Sequence, residues 1–286
     1  MEKKKLKRFI IIFAAIFIAL IVGIILTGLN KNGAHEEIGV LMKDAVLHES
    51  FKINLFGIID VNPAVISAFI VSGVLIVFAI IVRIFVIPKF TQIPGKFQMI
   101  LEQGVELFAN MAKENSPHCH SFLGGYIFVA GAYICIGTLF ELFGIQAVTT
   151  TGSSVSLPAP LADINGAICM GVLTFLVIMG GGIARNGLKG LGKALKEFSL
   201  PISMSFRLFG ALLSGALVTD LVYHYTLTSY VIPVFVGVIF TLLHALIQAY
   251  VLTTLASTYF GEVTEKSEKK VKVPKEKKKK IKAKSA

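Results

Sequence analysis

Residues 198–223 of the chain read FSLPISMSFRLFGALLSGALVTDLVY, an apolar segment that contains one basic residue, Arg207. A helix needs about 20 predominantly apolar residues to cross the hydrocarbon core of a bilayer, and this segment is long enough. Asp220 lies near the far end of the segment, where interfacial water solvates a carboxylate. The sequence therefore predicts a transmembrane helix that carries an arginine between its two ends.

Five further segments have the length and apolar character of membrane-spanning helices. They cover residues 9–29, 61–82, 121–140, 164–183 and 225–261. The composition, with 55% hydrophobic and 16% charged residues, is typical of a protein whose main solvent is lipid. We therefore predict an all-α membrane protein with six transmembrane helices. Alternatively, the first segment is a cleaved signal peptide and five helices remain, although that segment is nearly full-span and lacks an Ala-x-Ala site.

The distribution of Lys and Arg predicts how the chain crosses the membrane. Basic residues precede the first segment, separate the second from the third and the fourth from the fifth, and fill the tail, whereas residues 142–162 and 224–229 hold none. Loops rich in Lys and Arg stay in the cytoplasm, so both termini are predicted to be cytoplasmic. Most of the net charge of +11 lies in the tail, which favours a disordered segment near anionic lipid over a nucleic-acid partner.

The segment between the second and third predicted spans is amphipathic. Residues 97–112 place apolar side chains at intervals of three and four, which predicts a helix lying on the membrane surface. Pro94 and Gly95 mark the start of this helix, and Pro117 marks its end.

Several kinds of chemistry are disfavoured by the sequence. Cys119, Cys135 and Cys169 have no paired spacing, so no disulfide framework is predicted. His118, Cys119 and His120 are adjacent and have no second cluster, which makes a poor tetrahedral metal site. The sequence also contains no Gly-rich phosphate loop of the Walker type. We therefore predict no metal, no cofactor and no ATP hydrolysis by this chain alone.

Arg207 is the charge whose position has to be explained. A guanidinium stays protonated at any physiological pH, and a charge at the bilayer centre costs about 2.5 to 3.5 kcal/mol on insertion scales. No acidic residue lies three or four positions away on the same helix, so an anionic partner has to come from elsewhere in the chain or from another subunit. Alternatively, Arg207 lies close enough to the start of its span to snorkel to the cytoplasmic interface.

Further polar residues lie within or beside the other predicted spans. Thr241, His244 and Gln248 are spaced i, i+3, i+7, which places them on one helix face. They either hydrogen-bond between helices, at about 1 kcal/mol each, or include a proton relay at His244. Glu141 and Asp163 lie near the outer ends of their spans, where each either lines an aqueous path or caps an interface. Asp163 also fits a helix N-cap.

Four segments resemble, in the same order, segments of subunit a of F-type ATP synthases. They are IPGKFQMILEQGVELF (93–108), LADINGAICMGVLTFL (161–176), SFRLFGALLSGALV (205–218) and LIQAYVLTTLASTYFGE (246–262). The resemblance covers about residues 60–262 and implies that the fifth and sixth helices are long, inclined in the membrane and turned toward a ring of c subunits. The expected layout is an N-terminal transmembrane anchor with an external segment (1–60), the subunit a membrane domain (61–262) and a lysine-rich tail (263–286).

The resemblance implies a non-catalytic stator subunit that translocates ions. Arg207 would face the c-ring, whose subunits each supply a carboxylate. Two half-channels would load and unload these carboxylates and so couple a flow of H⁺ or Na⁺ to rotation and ATP synthesis. The implied partners are the c-ring, the b subunits of the peripheral stalk and the lipid of a bacterial plasma membrane.

Some family positions carry over to this sequence directly. Gln248 matches the polar neighbour of the arginine on the last helix, and Asp163 and Asn165 match an Asp-x-Asn pair that implies the outer half-channel. Glu141 stands where the family commonly has an asparagine.

Other positions depart from the family pattern. Ala211 and Ala216 stand where an asparagine and an acidic residue are usual, and Thr241 stands where Glu or His is often found. The outer half-channel is therefore expected to use a different polar set, including Glu141, Ser214 and His244.

Two other functions stay open at this point. An independent ion-coupled secondary transporter needs its own anion for Arg207 and a substrate site at broken helices, and the sequence has no internal repeat at a fixed period. A structural membrane scaffold needs the polar stripe only for helix association. Co-purification with a c-ring and a catalytic head would favour the stator over both.

Overall fold

A computed structural model of the chain describes residues 53–55, 59–148, 154–224 and 232–265, together with the isolated residue 18. The predicted first span, residues 9–29, lies outside the described residues apart from that one position. So does nearly all of the lysine-rich tail. The signal-peptide alternative and the predicted disorder of the tail therefore stay predictions.

The described residues form seven α-helices and two pairs of short antiparallel strands. The helices are α1 (Pro63–Ile81), α2 (Lys96–Asn115), α3 (His120–Phe140), α4 (Ile164–Asn186), α5 (Leu188–Lys196), α6 (Ser199–His224) and α7 (Ile232–Thr264). The strands are β1 (Ile53–Leu55) paired with β2 (Ile59–Val61), and β3 (Gln146–Val148) paired with β4 (Ser154–Ser156). In each pair the strands have only three residues, so the architecture is that of a helix bundle.

The membrane-spanning helices agree with most of the predicted segments. In the described part of the chain, four helical stretches are long and apolar enough to cross a bilayer: Pro63–Lys89, His120–Phe143, Ile164–Asn186 and Gly237–Thr264. A fifth span is added if α5 and α6, which meet at an angle of 47°, are counted as one bent unit. The predicted second, third, fourth and sixth spans are thus confirmed as helices of spanning length.

The amphipathic segment was predicted correctly as a helix, including its limits, while its place on the membrane surface stays a prediction. Gly95 precedes the first residue of α2, and the helix ends at Asn115, two residues before Pro117. The C-terminal part of its apolar side, with Ala112 fully buried and Phe108 beside it, packs against α3 and α7, whereas Phe97, Ile100 and Val105 are exposed. The polar side of α2 stays exposed, as expected for a helix at an interface.

The spanning helices run alternately up and down, which gives the bundle two distinct ends. The hairpin end carries both strand pairs and the first residues of α1 and α4. The basic end carries α2, α5 and the last residues of α4 and α7. At the basic end, the Asn186 side-chain amide donates hydrogen bonds to the carbonyl oxygens of Val263 (2.8 Å) and Glu265 (3.0 Å), which ties α4 to α7.

The two ends differ in charge. Among the described residues every Lys and Arg except Arg207 lies at or near the basic end: Arg83, Lys89, Lys96, Lys113, Arg185, Lys189, Lys193 and Lys196. The described segments at the hairpin end contain neither residue type. This separation is the one that the loop charges predicted.

Helix α6 is held against α4 by a close approach of backbones. A side chain at Gly171 of α4 would put its Cβ 2.7 Å from the carbonyl oxygen of Pro201 and against the hydroxyl of Ser205. Glycine is the residue that permits this contact, because any Cβ there would collide with the α6 backbone. The contact fixes the rotation of α6, so that Met204, Ser205 and Leu208 are buried.

Two features were missed at the sequence level. The strand pairs at the hairpin end are too short to show an alternating pattern. Helix α5 was taken as a charged loop, but its Gly190 and Ala194 are buried while Lys189 and Leu188 are exposed. The small residues Gly190 and Ala194 pack on the bundle, whereas Leu188, Leu195, Lys189 and Lys196 are exposed.

Candidate functional site

Arg207 lies on the exposed side of α6. Its neighbours Ile202 and Phe206 are 48% and 63% exposed, whereas Met204 and Leu208 on the opposite side are each only 2% exposed. Arg207 itself is exposed. The side chain therefore points away from the bundle that this chain forms.

The stripe of α6 that contains Arg207 is lined by small side chains. Ser203, Gly210 and Ser214 are all exposed and lie four residues before, three after and seven after the arginine, which is the spacing of one helix face. Small residues allow another helix to approach the backbone closely within a membrane. We call Ser203, Arg207, Gly210 and Ser214 the small-residue stripe.

Arg207 also lies well inside its helix. It follows the first residue of α6 by eight positions, a rise of about 12 Å, in a hydrocarbon core about 30 Å thick. The structure gives Arg207 no hydrogen bond or ion pair within the described part of the chain. A permanent charge at this depth is costly without an anion.

The register between α6 and α7 places the predicted polar stripe relative to Arg207. Leu208 and Leu212 of α6 share a buried cluster with Leu252 and Ala249 of α7, as expected for antiparallel neighbours. Further toward the hairpin end, a Cβ at Gly215 would lie 3.9 Å from His244 Nδ1.

Gln248 is the member of this stripe nearest to Arg207. Its position is about one helical turn from the level of Arg207 along the bundle axis. Its side chain is only 8% exposed, so its amide is held inside the bundle.

Thr241, His244 and Gln248 share one face of α7, as predicted. All three are buried or half-buried, whereas their neighbours Leu243 and Ile247 are each 52% exposed. The Nδ1 atom of His244 lies 3.0 Å from the carbonyl oxygen of Phe240. Because a carbonyl only accepts, Nδ1 carries the proton in this arrangement. That bond stays within α7, so it is not the interhelical bond that one of the two interpretations required.

Asp163 is confirmed as a helix N-cap. Its Oδ1 accepts a hydrogen bond of 2.6 Å from the backbone N–H of Asn165, in the first turn of α4. Its other oxygen, Oδ2, accepts from the side-chain amide of Asn62. Asp163 is 9% exposed, so the two bonds stabilise a nearly buried carboxylate.

Asn62 is a residue that the sequence-based reasoning missed. Its Oδ1 accepts a 3.0 Å hydrogen bond from the backbone N–H of Ala64 and so caps α1, while its Nδ2 donates to Asp163. One amide therefore links the starts of α1 and α4. The signal was present as an Asn-Pro pair at the start of an apolar run, which is a helix-start pattern, but its partner lies 101 positions away.

Glu141 lies where the third span ends. It opens a 3-10 turn, Glu141–Phe143, directly after α3, and it is half-buried. The turn contacts α7. Since Gly131 of α3 lies against Thr253 of α7 and the two helices are antiparallel, Glu141 comes near the level of His244.

The structure brings four of the predicted polar residues to the same end of the bundle. Glu141, Ser214 and His244 lie two to three turns of helix from Arg207 toward the hairpin end. Asp163 lies on the same side, about one turn from the level of the arginine, because Gly171 of α4 packs against Pro201 and Ser205 of α6. The side chain of Asn165 is exposed on α4, and only its backbone bonds to Asp163.

A polar cleft begins near the level of Arg207 and extends toward the basic end. It has a volume of about 480 Å³ between α2 and α7. The polar residues that line it include Glu106, Asn110, Glu114, Tyr250 and Thr254. Sequence reasoning treated the α2 residues as a solvated face and missed that α7 supplies the opposite wall.

Within the described residues no group of three or more His, Cys, Asp and Glu side chains is arranged to hold a metal ion. The three cysteines are free thiols. His118 and His120 flank the start of α3 at the surface of the bundle.

These features define a multi-pass helical membrane protein, in whose described part Arg207 lies inside an apolar helix with polar residues around its level. The chain belongs to the ATP synthase A chain family, whose sequence model matches residues 65–261, about two thirds of its length. It is thus an ion-translocating subunit a of an ATP synthase complex, which contains a c-ring. The resemblance found in the sequence is confirmed, and an independent secondary transporter is not supported.

Proposed function

We propose that α6 and α7 form the surface of subunit a that faces the c-ring, with Arg207 opposite the ring carboxylates. The observation that carries this proposal is the exposure of Arg207 on the small-residue stripe. A charged side chain that points out of its own bundle at membrane depth needs an anion from another subunit. Small residues around it let a ring helix come close enough to supply that anion.

The outer half-channel in this proposal lies between Arg207 and the hairpin end. It is lined by Glu141, Asp163, Ser214 and His244, with Gln248 between this group and the arginine. Thr241 continues the α7 stripe one turn further out, and Asn165 stands at the surface of α4. Support comes from the position of these side chains, which all lie on the hairpin side of Arg207.

The inner half-channel opens at the polar cleft between α2 and α7. The cleft extends from the level of Arg207 toward the basic end, and in this proposal the arginine separates it from the outer path. Glu106 and Glu114 at its wall attract cations from the adjoining aqueous phase. The basic end faces the cytoplasm on the positive-inside rule, and both termini are cytoplasmic.

The mechanism follows from electrostatics. As a loaded ring carboxylate approaches Arg207, the guanidinium favours the ionised carboxylate, and the ion leaves into one half-channel. After passing the arginine, the carboxylate reloads from the other half-channel. Because Arg207 remains cationic, it repels H⁺ or Na⁺ that would pass directly between the channels. Each ion that crosses 100 mV contributes about 2.3 kcal/mol toward rotation and ATP synthesis.

The chain acts in this role as a non-catalytic stator subunit. The b subunits of the peripheral stalk hold it against the torque of the ring, and the N-terminal residues 1–60 supply an additional membrane anchor. Residues 61–262 form the membrane domain, and the tail from residue 263 lies in the cytoplasm of a bacterium.

Replacement of the arginine tests the proposal. In inverted membrane vesicles, Arg207→Ala should abolish ATP-driven acidification, or Na⁺ uptake if Na⁺ is the coupling ion, while the subunits still co-purify. Arg83→Ala removes an exposed arginine near the end of the first described span and should pump at the wild-type rate. Coupled pumping by Arg207→Ala would refute the proposed role.

A further inference from the structure

A second cavity lies at the basic end, on the outside of the bundle and away from the small-residue stripe. It is a cleft of about 690 Å³ between the first turns of α3 and the last third of α4, with Phe260 of α7 at its back. Its lining is apolar except near Arg185 and the Cys119 thiol. The volume is in the range of cavities that hold small-molecule ligands.

Two glycines and a phenylalanine shape this cleft. A Cβ at Gly181 would collide with the ring of Phe260, which is fully buried there. A Cβ at Gly180 would meet nothing within 4 Å, so the α4 backbone is open to the cleft at this position. The ring of Phe122 borders the cleft, with its centroid 6.2 Å from that of Phe260. The cleft is therefore a slot between α3 and α4 that is open at Gly180 and bordered by the rings of Phe122 and Phe260.

The length and depth of the cleft correspond to one leaflet of a bilayer. It extends along α4 from Leu176 to Arg185, a rise of about 14 Å. Half of the hydrocarbon core is about 15 Å thick. Arg185 is the second-last residue of α4, so it lies at headgroup level, and Leu176 lies near the middle of the membrane.

Arg185 supplies the one charge at this cleft. Its Nε atom is buried and has no hydrogen-bond partner within the described residues. The side-chain amide of the next residue, Asn186, donates to two carbonyl oxygens at the end of α7. Asn186 therefore ties the helices together, and the Arg185 guanidinium is left to bind an anion. A guanidinium suits a phosphate, because its N–H groups bond two oxygens at once.

We propose that this cleft binds one anionic phospholipid, with an acyl chain between α3 and α4 and the phosphate at Arg185. The apolar slot matches the chain, the single arginine matches the phosphate, and the surrounding basic end attracts an anionic headgroup. A transmembrane helix of another subunit fits less well, because the cleft covers only one leaflet and ends in a charge.

Photolabelling of the intact ATP synthase complex tests this proposal. The complex is reconstituted in phosphatidylcholine vesicles that contain a probe lipid with a diazirine in one acyl chain. The probe is either phosphatidylglycerol or phosphatidylcholine, and both probes are used at the same mole fraction. We expect the label within residues 176–185, with about a fivefold preference for the anionic lipid, because one arginine contributes that much at a membrane surface. Arg185→Gln should remove the preference. Lys189→Gln, which loses the same charge nearby but not from the cleft, should keep it.

A second pair of variants tests the apolar part. Gly180→Leu fills the slot without a clash and should abolish labelling by both lipids, whereas Gly73→Leu, at another open glycine in α1, should leave labelling unchanged. The proposal fails if the wild-type cleft is unlabelled. It also fails if both lipids label it equally, or if Gly180→Leu leaves the labelling unchanged.

Discussion

Replacement of Asn62 provides a quantitative test of how the hairpin end is organised. Asn62→Ala removes the cap of α1, worth about 1 kcal/mol, and a hydrogen bond to a carboxylate, worth about 1.5 to 3 kcal/mol. The expected loss of stability is about 3 kcal/mol. For a domain of this size, each kcal/mol lowers the unfolding temperature by about 2 to 4 °C, so a decrease of about 6 to 12 °C is expected.

Asn62→Asp separates the two functions of the amide. The aspartate keeps an oxygen that accepts from Ala64, but it replaces the donor to Asp163 by a second negative charge. Two like charges about 4 Å apart near a protein surface repel by about 4 kcal/mol. Asn62→Asp should therefore unfold at a lower temperature than Asn62→Ala, although it retains the cap.

The assay heats the complex in mild detergent and measures by gel filtration how much subunit a remains soluble at each temperature. Asn165→Ala is the matched control, because only the backbone of Asn165 bonds to Asp163 and its side chain is exposed. It should unfold within about 2 °C of the wild type, since surface substitutions usually change stability by no more than about 0.5 kcal/mol. If Asn62→Asp were as stable as the wild type, the link between α1 and α4 would be refuted.

Two further substitutions test the packing and exposure of α6. Gly171→Leu forces a side chain against the Pro201 carbonyl and should destabilise the chain by several kcal/mol, measured as loss of folded subunit from membranes, while Gly73→Leu should accumulate normally. Ser203→Cys should form a disulfide with cysteines introduced in the ring helix of the c subunit, whereas Ser205→Cys, buried against α4, should not. Equal cross-linking by both cysteines would show that α6 is rotated from the position described.

The spans could be predicted from sequence because each depends on a local property, the length of an apolar run. The C-terminal limit of the last run was less accurate, because it was predicted at residue 261 and the helix continues to Thr264. Its predicted start lies outside the described residues. The surface helix α2 was predicted well, because proline and glycine mark its limits and its apolar positions repeat at helical spacing.

The site was predictable only in part, since its geometry depends on contacts between distant segments. Arg207 was identifiable because an arginine in an apolar run is rare. That its side chain faces outward follows from the Gly171 contact, which no local pattern of α6 reveals. Asn62 belongs to the site only because its side chain bonds to Asp163, 101 positions away. The polar cleft forms only because α2 packs on α7.

A density map of the assembled complex, at a resolution that shows side chains, tests the central claim most directly. The measurement is the distance from the Arg207 guanidinium to the nearest carboxylate of the c-ring. We predict that the two groups face each other within the hydrocarbon core, separated by no more than about 6 Å, the range over which an opposite charge stabilises a carboxylate. A guanidinium among the lipid headgroups, turned away from the ring, would contradict the account.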